Sequence, residues 1–381
     1  MNTYVAEELE SAPDAASLLN QGDEFHGYII QRCIGEGAAA SVYLAKHEVL
    51  DAYFAIKILH PSVVSEGDPE FLRRFLREAR LATRIRHPNL VSVHDCGHDD
   101  DRDVYYLVMD YVPGTSLRNV LAFEGRLSVK YATSIVAQVA SVLEAAKPFQ
   151  VVHRDIKPEN IMVQPDGCVK LVDLGIAKAQ NLGDSLCTNT DSTFGTPSYI
   201  SPEQAQCAAH VDTRADVYSL GMVLFEMLTG KCPYVGDNPA LVLSQILSDD
   251  PVPDIRDFNP DVPVGLAILV RRMTVKDRDR RIGSFKTVLE ELERLGFGQI
   301  MNIPFRTEYA TRPQTGMKTL LEGVGQKPQG VSDPLSDPDD DVCEFLSKRT
   351  RHRNGMPMLV PVTVLGAAVV IVLIVFLILH L

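Results

Sequence analysis

From residue 28 to 297 the chain alternates short apolar runs with stretches of helical spacing. Tyr28-Ile29-Ile30, Ser41-Val42-Tyr43-Leu44 and Phe54-Ala55-Ile56-Lys57 are rich in β-branched and aromatic residues and read as strands. Phe71, Phe75, Ala79 and Ala82 then recur at three- and four-residue steps, predicting a helix over 71–86. It stops at His87-Pro88-Asn89, where proline disfavours helical backbone before it. Val104–Tyr111 (VYYLVMDY) reads as a buried strand ended by Pro113-Gly114, and Ile135–Leu143 as a strongly apolar helix of a second lobe.

The ends of the chain are different. Residues 1–27 are rich in Ala, Glu and Asp without sustained periodicity and predict a flexible leader. The acidic start Met1–Ser11 has no apolar run, so no signal peptide is expected. Residues 298–357 turn Pro-, Gly- and Asp-rich, then basic at Lys348, Arg349, Arg351 and Arg353, and predict a disordered juxtamembrane linker. Residues 358–380 carry no Asp, Glu, Lys or Arg, and about 20 apolar residues suffice to cross a bilayer. They predict a single C-terminal transmembrane helix. The basic flank holds the preceding domain in the cytoplasm by the positive-inside rule, and no domain is expected beyond the helix.

Composition narrows the function classes. Lys and Arg number 37 against 50 Asp and Glu, a net charge of -13, which disfavours nucleic acid as a partner. The 7 cysteines are scattered without a CxxC pair, against both a disulfide framework and a zinc ribbon, and place the bulk of the chain in a reducing compartment.

Candidate chemistry begins at Gly35-Glu36-Gly37, between two strands, where backbone amides could close over phosphates. A dinucleotide fingerprint would need a helix directly after the glycines; β-branched and aromatic residues follow instead. Lys57 ends a strand, and Glu78 on the following helix could pair with it and orient its ammonium toward a nucleotide. The densest cluster is Val151-Val152-His153-Arg154-Asp155-Ile156-Lys157-Pro158-Glu159-Asn160-Ile161, a polar loop between two apolar runs read as strands. Such a run is costly to place there unless the groups do work. Asp173 follows the strand Val169–Val172. Asn160 and Asp173 suit Mg²⁺, which takes one or two carboxylates plus phosphate oxygens, and Asp155 is left to accept a hydroxyl proton. A two-glycine turn or a strand-end lysine is common by itself; the ordered set carries the weight.

On these motifs the chain over 28–297 resembles the eukaryotic-like (Hanks-type) protein serine/threonine kinases, in particular their bacterial membrane-anchored members. The resemblance implies an α+β, bilobal protein-kinase fold: an antiparallel β N-lobe with one helix, and a mainly α C-lobe. It implies ATP between the lobes, with Mg²⁺ or alternatively Mn²⁺. Ile34, Gly35, Glu36, Gly37 and Val42 then belong to the glycine-rich loop and adenine roof. Ala55 and Lys57 belong to the AxK strand, Lys57 with Glu78 as partner on the α- and β-phosphates. Met109 is the gatekeeper and Asp110–Val112 the hinge against adenine. Asp155 is the base, Lys157 steadies the γ-phosphate, and Asn160 and Asp173 hold the metal. Lys157 and Gly195-Thr196-Pro197-Ser198-Tyr199 are similar to the Ser/Thr branch, Ser201-Pro202-Glu203 stands for APE with Glu203 pairing Arg281, and Asp216, opening a helix over 217–228, braces the catalytic loop. Ala40 in place of a third glycine, Leu174 in DLG and Ser201 in SPE depart from the family pattern.

The implied function is phosphoryl transfer from ATP to Ser/Thr hydroxyls of protein substrates. Arg154 and the hydroxyls of 173–203 suggest activation by autophosphorylation, with Thr188 and Thr190 as sites and Arg154 as the partner of the phosphate. Anchoring in the bacterial cell membrane would favour this reaction in trans within a homodimer. A membrane-tethered pseudokinase scaffold is the alternative, favoured by Ala40 and Leu174 alone; a small-molecule kinase ranks last, having no reason to carry GTPSYISPE.

Overall fold

Period-two alternation builds the first lobe. The computed structural model describes residues 18–37, 39–61, 69–172, 197–206, 211–236 and 238–298, all within one compact unit. Strands β1 (Glu24–Phe25), β2 (Tyr28–Glu36), β3 (Ala40–His47), β4 (Ala52–Leu59), β5 (Val93–Asp99) and β6 (Val104–Asp110) form an antiparallel sheet in the order β1-β2-β3-β4-β6-β5. Tyr28 and Ile30, Tyr43 and Ala45, Phe54, Ile56 and Ile58, and Val104, Tyr106 and Val108 pack as one core. Successive side chains of a strand face opposite sides. Val42, Ala55 and Met109, of the other parity, therefore line the opposite face, where they join a separate apolar cluster.

Leu19 and Phe25 are buried in this first core and β1 pairs with β2, so the folded domain begins before residue 28. The leader expected over 1–27 is corrected accordingly for 18–27; the remainder lies outside the described residues. An isolated aromatic in a polar segment left no periodicity to read.

Helix α1 (Pro69–Arg84) buries Leu72, Phe75, Ala79 and Ala82. Two lobes meet where Asn89–Val91 runs along the far side of the first sheet. Leu90 bridges Leu171 in parallel, and Asn89 donates from Nδ2 to Gln138 Oε1 and the Val169 carbonyl, both at 2.8 Å.

The second lobe comprises β7 (Thr115–Ser116), α2 (Leu117–Glu124), α3 (Val129–Ala146), β8 (Ile161–Val163), β9 (Val169–Leu171), α4 (Pro202–Ala205), α5 (Thr213–Thr229), α6 (Pro239–Leu247), α7 (Val264–Met273) and α8 (Phe285–Arg294), with β7-β8-β9 as a small antiparallel sheet. The helix expected over 135–143 runs from 129 to 146, because Ser128 caps it by accepting the Tyr131 N–H. Val151-Val152 form no strand. Helix α5 is buried all round from Ala215 to Leu228, as an apolar helix without a polar face must be. It starts at Thr213 rather than 217, because Asp212 is its cap, which puts Asp216 inside the first turn. Gly230, at φ +74°, ends it by donating to the Glu226 carbonyl at 2.7 Å.

Among the described residues no helix is long and apolar enough to cross a membrane. The expected span 358–380, the linker from 299 to 357, and Asp173, Thr188 and Thr190 lie outside them.

Candidate active site

Strand register carries the upper half of the site. Gly35 faces Val42, Val42 faces Lys57, and Lys57 faces Leu107, so four strands place these residues in one row. Leu44, Ala55 and Met109 form the adjacent row. Lys57 is half-buried and shares the face of Ala55, two residues earlier. The side chain of Glu78 lies outside the described residues, so its pairing with Lys57 is not part of this geometry.

A small apolar cluster sits beneath these rows. Ala55, Val91, Met109 and Val112 are buried in it, with Ile34, Val42, Met162 and Val172 packed against them. The expected adenine-binding residues Ile34, Val42, Ala55, Met109 and Val112 thus come together. Met162 and Val172 complete the set from the second lobe; the apolar run after Asn160 was the signal, and its facing could not be told from sequence. Asp110 is fixed beside them: its N–H donates to the Ser92 carbonyl at 2.9 Å, and its carboxylate contacts His94 Nε2 at 2.6 Å. Burial pushes that carboxyl up, but the bonds to His94 and Ser92 outweigh it and hold the group below the ordinary carboxylate range.

Packing does not require the loop glycines. A Cβ at Gly35 would meet Val42 at 3.8 Å and one at Gly37 the Ala40 carbonyl at 3.5 Å, both ordinary contacts. Their use is then room for close approach of the backbone. Glu36 is exposed in the same turn.

The lower half is the loop from His153 to Asn160. Asn160 donates from Nδ2 to both the carbonyl and Oδ2 of Asp155, each at 2.8 Å, and Lys157 Nζ lies 3.2 Å from the same Oδ2. The side chains of Asp155 and Lys157 remain 18% and 27% exposed, within reach of a substrate. The loop is braced from below: Asp216 accepts the N–H groups of His153 and Arg154 at 2.7 Å each, and Gln204 donates to the Arg154 carbonyl at 3.0 Å. Arg154 holds φ at +63°, a left-handed conformation that these bonds stabilise. Burial raises the Asp216 carboxyl to about 7, against the two N–H bonds, which pull it down.

Gln204 was not singled out from sequence, although Ser201-Pro202-Glu203-Gln204 has the spacing of a capping box and forms one. The Glu203–Arg281 pair forms as expected, at 2.7 and 3.0 Å with side-chain exposures of 8% and 0%. The phosphate partners expected for Arg154 lie outside the described residues.

The donor set fits a hard cation in its described half. Asn160 spends its amide N–H groups on Asp155, leaving the amide oxygen as the atom a cation would take. Asp173, the expected carboxylate ligand, lies outside the described residues; among those described, no three His, Cys, Asp or Glu are grouped to hold a metal.

Known proteins share this plan. Residues 28–292 match the family described as protein kinase domain. The serine/threonine-protein kinase PrkC of Bacillus subtilis is 41% identical over 250 residues, 66% of this chain and 37% of that protein. The serine/threonine-protein kinase PknB of Mycolicibacterium smegmatis is 37% identical over 280 residues, 73% of this chain and 44% of that protein. The chain thus spans less than half the length of these curated relatives. The crystal structure of the Mycobacterium tuberculosis PknI kinase domain superposes with a TM-score of 0.58 at 29% identity, covering 72% of this chain and 99% of that one. The chain belongs to the protein kinase family, in its eukaryotic-like (Hanks-type) serine/threonine branch.

Proposed function

We propose that the protein transfers the γ-phosphoryl group of ATP to Ser and Thr hydroxyls of protein substrates. The observation that carries this reading is the clasp of Asn160 and Lys157 on one oxygen of Asp155, in a loop held by Asp216 beneath an apolar slot.

In this reading the adenine lies among Val42, Ala55, Met109 and Met162, and the turn at Gly35–Gly37 closes over the phosphates. Lys57 serves the α- and β-phosphates, with Glu78 as its partner. Asn160 and Asp173 hold Mg²⁺, which when bound neutralises phosphate charge. The substrate hydroxyl oxygen forms the new bond to the γ-phosphorus as the bond to the bridging β,γ-oxygen breaks, and ADP leaves. Asp155 orients the hydroxyl and accepts its proton. Lys157, tied to Asp155 at 3.2 Å, places a positive charge beside the group in transit.

Residues 358–380 anchor the domain to the bacterial cell membrane with its kinase domain in the cytoplasm, supported by their apolar run and the basic flank. Activation proceeds by phosphorylation in trans at Thr188 and Thr190, read by Arg154. Phosphopeptide mapping of active protein tests the sites, and fractionation of a tagged full-length chain tests the anchor.

The direct test uses the full chain with γ-labelled ATP, Mg²⁺ and a generic protein substrate, followed by phosphoamino-acid analysis. Label on serine and threonine supports the reading. Label on tyrosine, or none, contradicts it.

A further inference from the structure

Strand β5 carries one residue too many. Val93 faces Met109 and Asp95 faces Val108, so His94 falls in a β-bulge, left out of the pairing with β6. A bulge re-aims a side chain. Here it brings the imidazole to the end of β6. His94 Nε2 lies 2.6 Å from Asp110 Oδ1, and the ring meets the Phe54 ring edge-on, with centroids 5.2 Å apart at 90°.

Asp110 opens the expected hinge, and its neighbours Met109 and Val112 are buried in the apolar cluster assigned to adenine. Strand alternation turns the Asp110 side chain to the opposite face, that of Val108 and Phe54. The carboxylate therefore does not line the slot and acts on it through the backbone. Two groups hold that carboxylate: His94 on Oδ1 and the Ser92 N–H on Oδ2 at 3.2 Å. The Asp110 N–H donates in turn to the Ser92 carbonyl at 2.9 Å. Residue 110 is thus clamped, by main chain and side chain, to the short segment 92–94. Burial opposes the charge on Asp110, but the bonds to His94 and Ser92 outweigh it. An ionised carboxylate only accepts, which makes His94 Nε2 the donor. Val91, one residue before the clamp, belongs to the same apolar cluster.

Resting on the kinase reading above, we infer that His94 is a positioning residue of the nucleotide site: through the Asp110 carboxylate it fixes the backbone of 110–112 against adenine, so that nucleotide affinity depends on an N–H donor at the bulge. His94 touches neither the nucleotide nor the reacting atoms. Its loss frees the Asp110 side chain to turn toward water and lets the hinge backbone follow.

Nucleotide affinity, measured directly and through turnover on the full chain, tests this. Calorimetry follows Mg-ADP binding, and assays with Mg²⁺ and a generic protein substrate give KM for ATP and kcat. The two side chains are 34% and 33% exposed, so the effect is moderate. His94→Phe keeps a ring against Phe54 but has no donor; it weakens ADP binding and raises KM about fivefold, with kcat changed less than about twofold. His94→Gln restores an N–H and stays within about twofold of wild type in all three quantities. Asp110→Ala weakens ADP binding by a similar factor, and adding His94→Phe to it weakens binding less than about twofold further. A His94→Phe protein with wild-type affinity overturns the inference. So do a His94→Gln protein no better than His94→Phe, losses that multiply in the double variant, or a loss confined to kcat. Thermal melting checks the fold of each variant, and His94→Leu takes the place of His94→Phe if the larger ring does not fold. A wild type that binds Mg-ADP but transfers no phosphate ends the kinase reading alone, because the binding measurements still decide for or against His94. A wild type that binds no nucleotide ends both.

Discussion

The Asp216 carboxylate accepts the backbone N–H of Arg154 at 2.7 Å, tying helix α5 to the catalytic loop at its one left-handed residue, φ +63°. The side chain makes the same bond to His153. A buried acid thus holds the backbone from which Asp155 projects.

That arrangement predicts a pH dependence. Burial raises the Asp216 carboxyl from 3.8 to about 7. A raised value in the folded state means that the group's stabilising contribution is fully present below pH 3.8 and is lost as pH rises through 7. At about 1.4 kcal/mol per unit, the unfolding free energy of wild type relative to Asp216→Asn should fall by on the order of 4 kcal/mol across that window. Urea unfolding of both proteins at intervals from pH 4 to 8 checks this; a difference that stays flat contradicts it.

Arg281 uses all of its N–H donors inside the protein. Besides Glu203 it donates to the carbonyls of Val275, Arg214 and Lys276, at 2.7, 2.8 and 3.0 Å. Breaking a buried, fully bonded pair leaves one charge uncompensated. Arg281→Met should therefore cost about 3–5 kcal/mol, and Glu203→Gln a similar amount. Chemical denaturation measures it, and a loss under about 1 kcal/mol would show the pair to be dispensable.

Residues 18–27 are part of the domain. Phe25 is 1% exposed and Leu19 2% exposed, against the core of the first sheet. Phe25→Ala should lower stability by about 3–5 kcal/mol and Leu19→Ala by about 2–5. A lowered melting temperature is expected for both; unchanged melting of Phe25→Ala would mean that β1 contributes little.

Much of the site was legible because it is local. Asp155, Lys157 and Asn160 lie within one loop, and their contacts span five residues or fewer. Val42, Ala55 and Lys57 follow from strand parity, which fixes a face once the strands are known. Contacts between distant segments were not legible. Arg118 meets Tyr199 and Glu226 across 81 and 108 positions, and no spacing announces a guanidinium that bridges them. Phe25 and Leu19 gave no periodicity to read. The start of α5 was misplaced because the apolar run begins later than the cap, Asp212, that launches the helix.

Asp155 as the proton acceptor is the centre of the account, and Asp155→Asn tests it most directly. The substitution keeps the shape of the side chain while removing its basicity. The full chain and this variant should be compared for phosphate incorporation into a protein substrate with Mg-ATP, after circular dichroism confirms the same fold. The account predicts a loss of about 10²–10⁴-fold in the variant. Equal incorporation by the two proteins would contradict it.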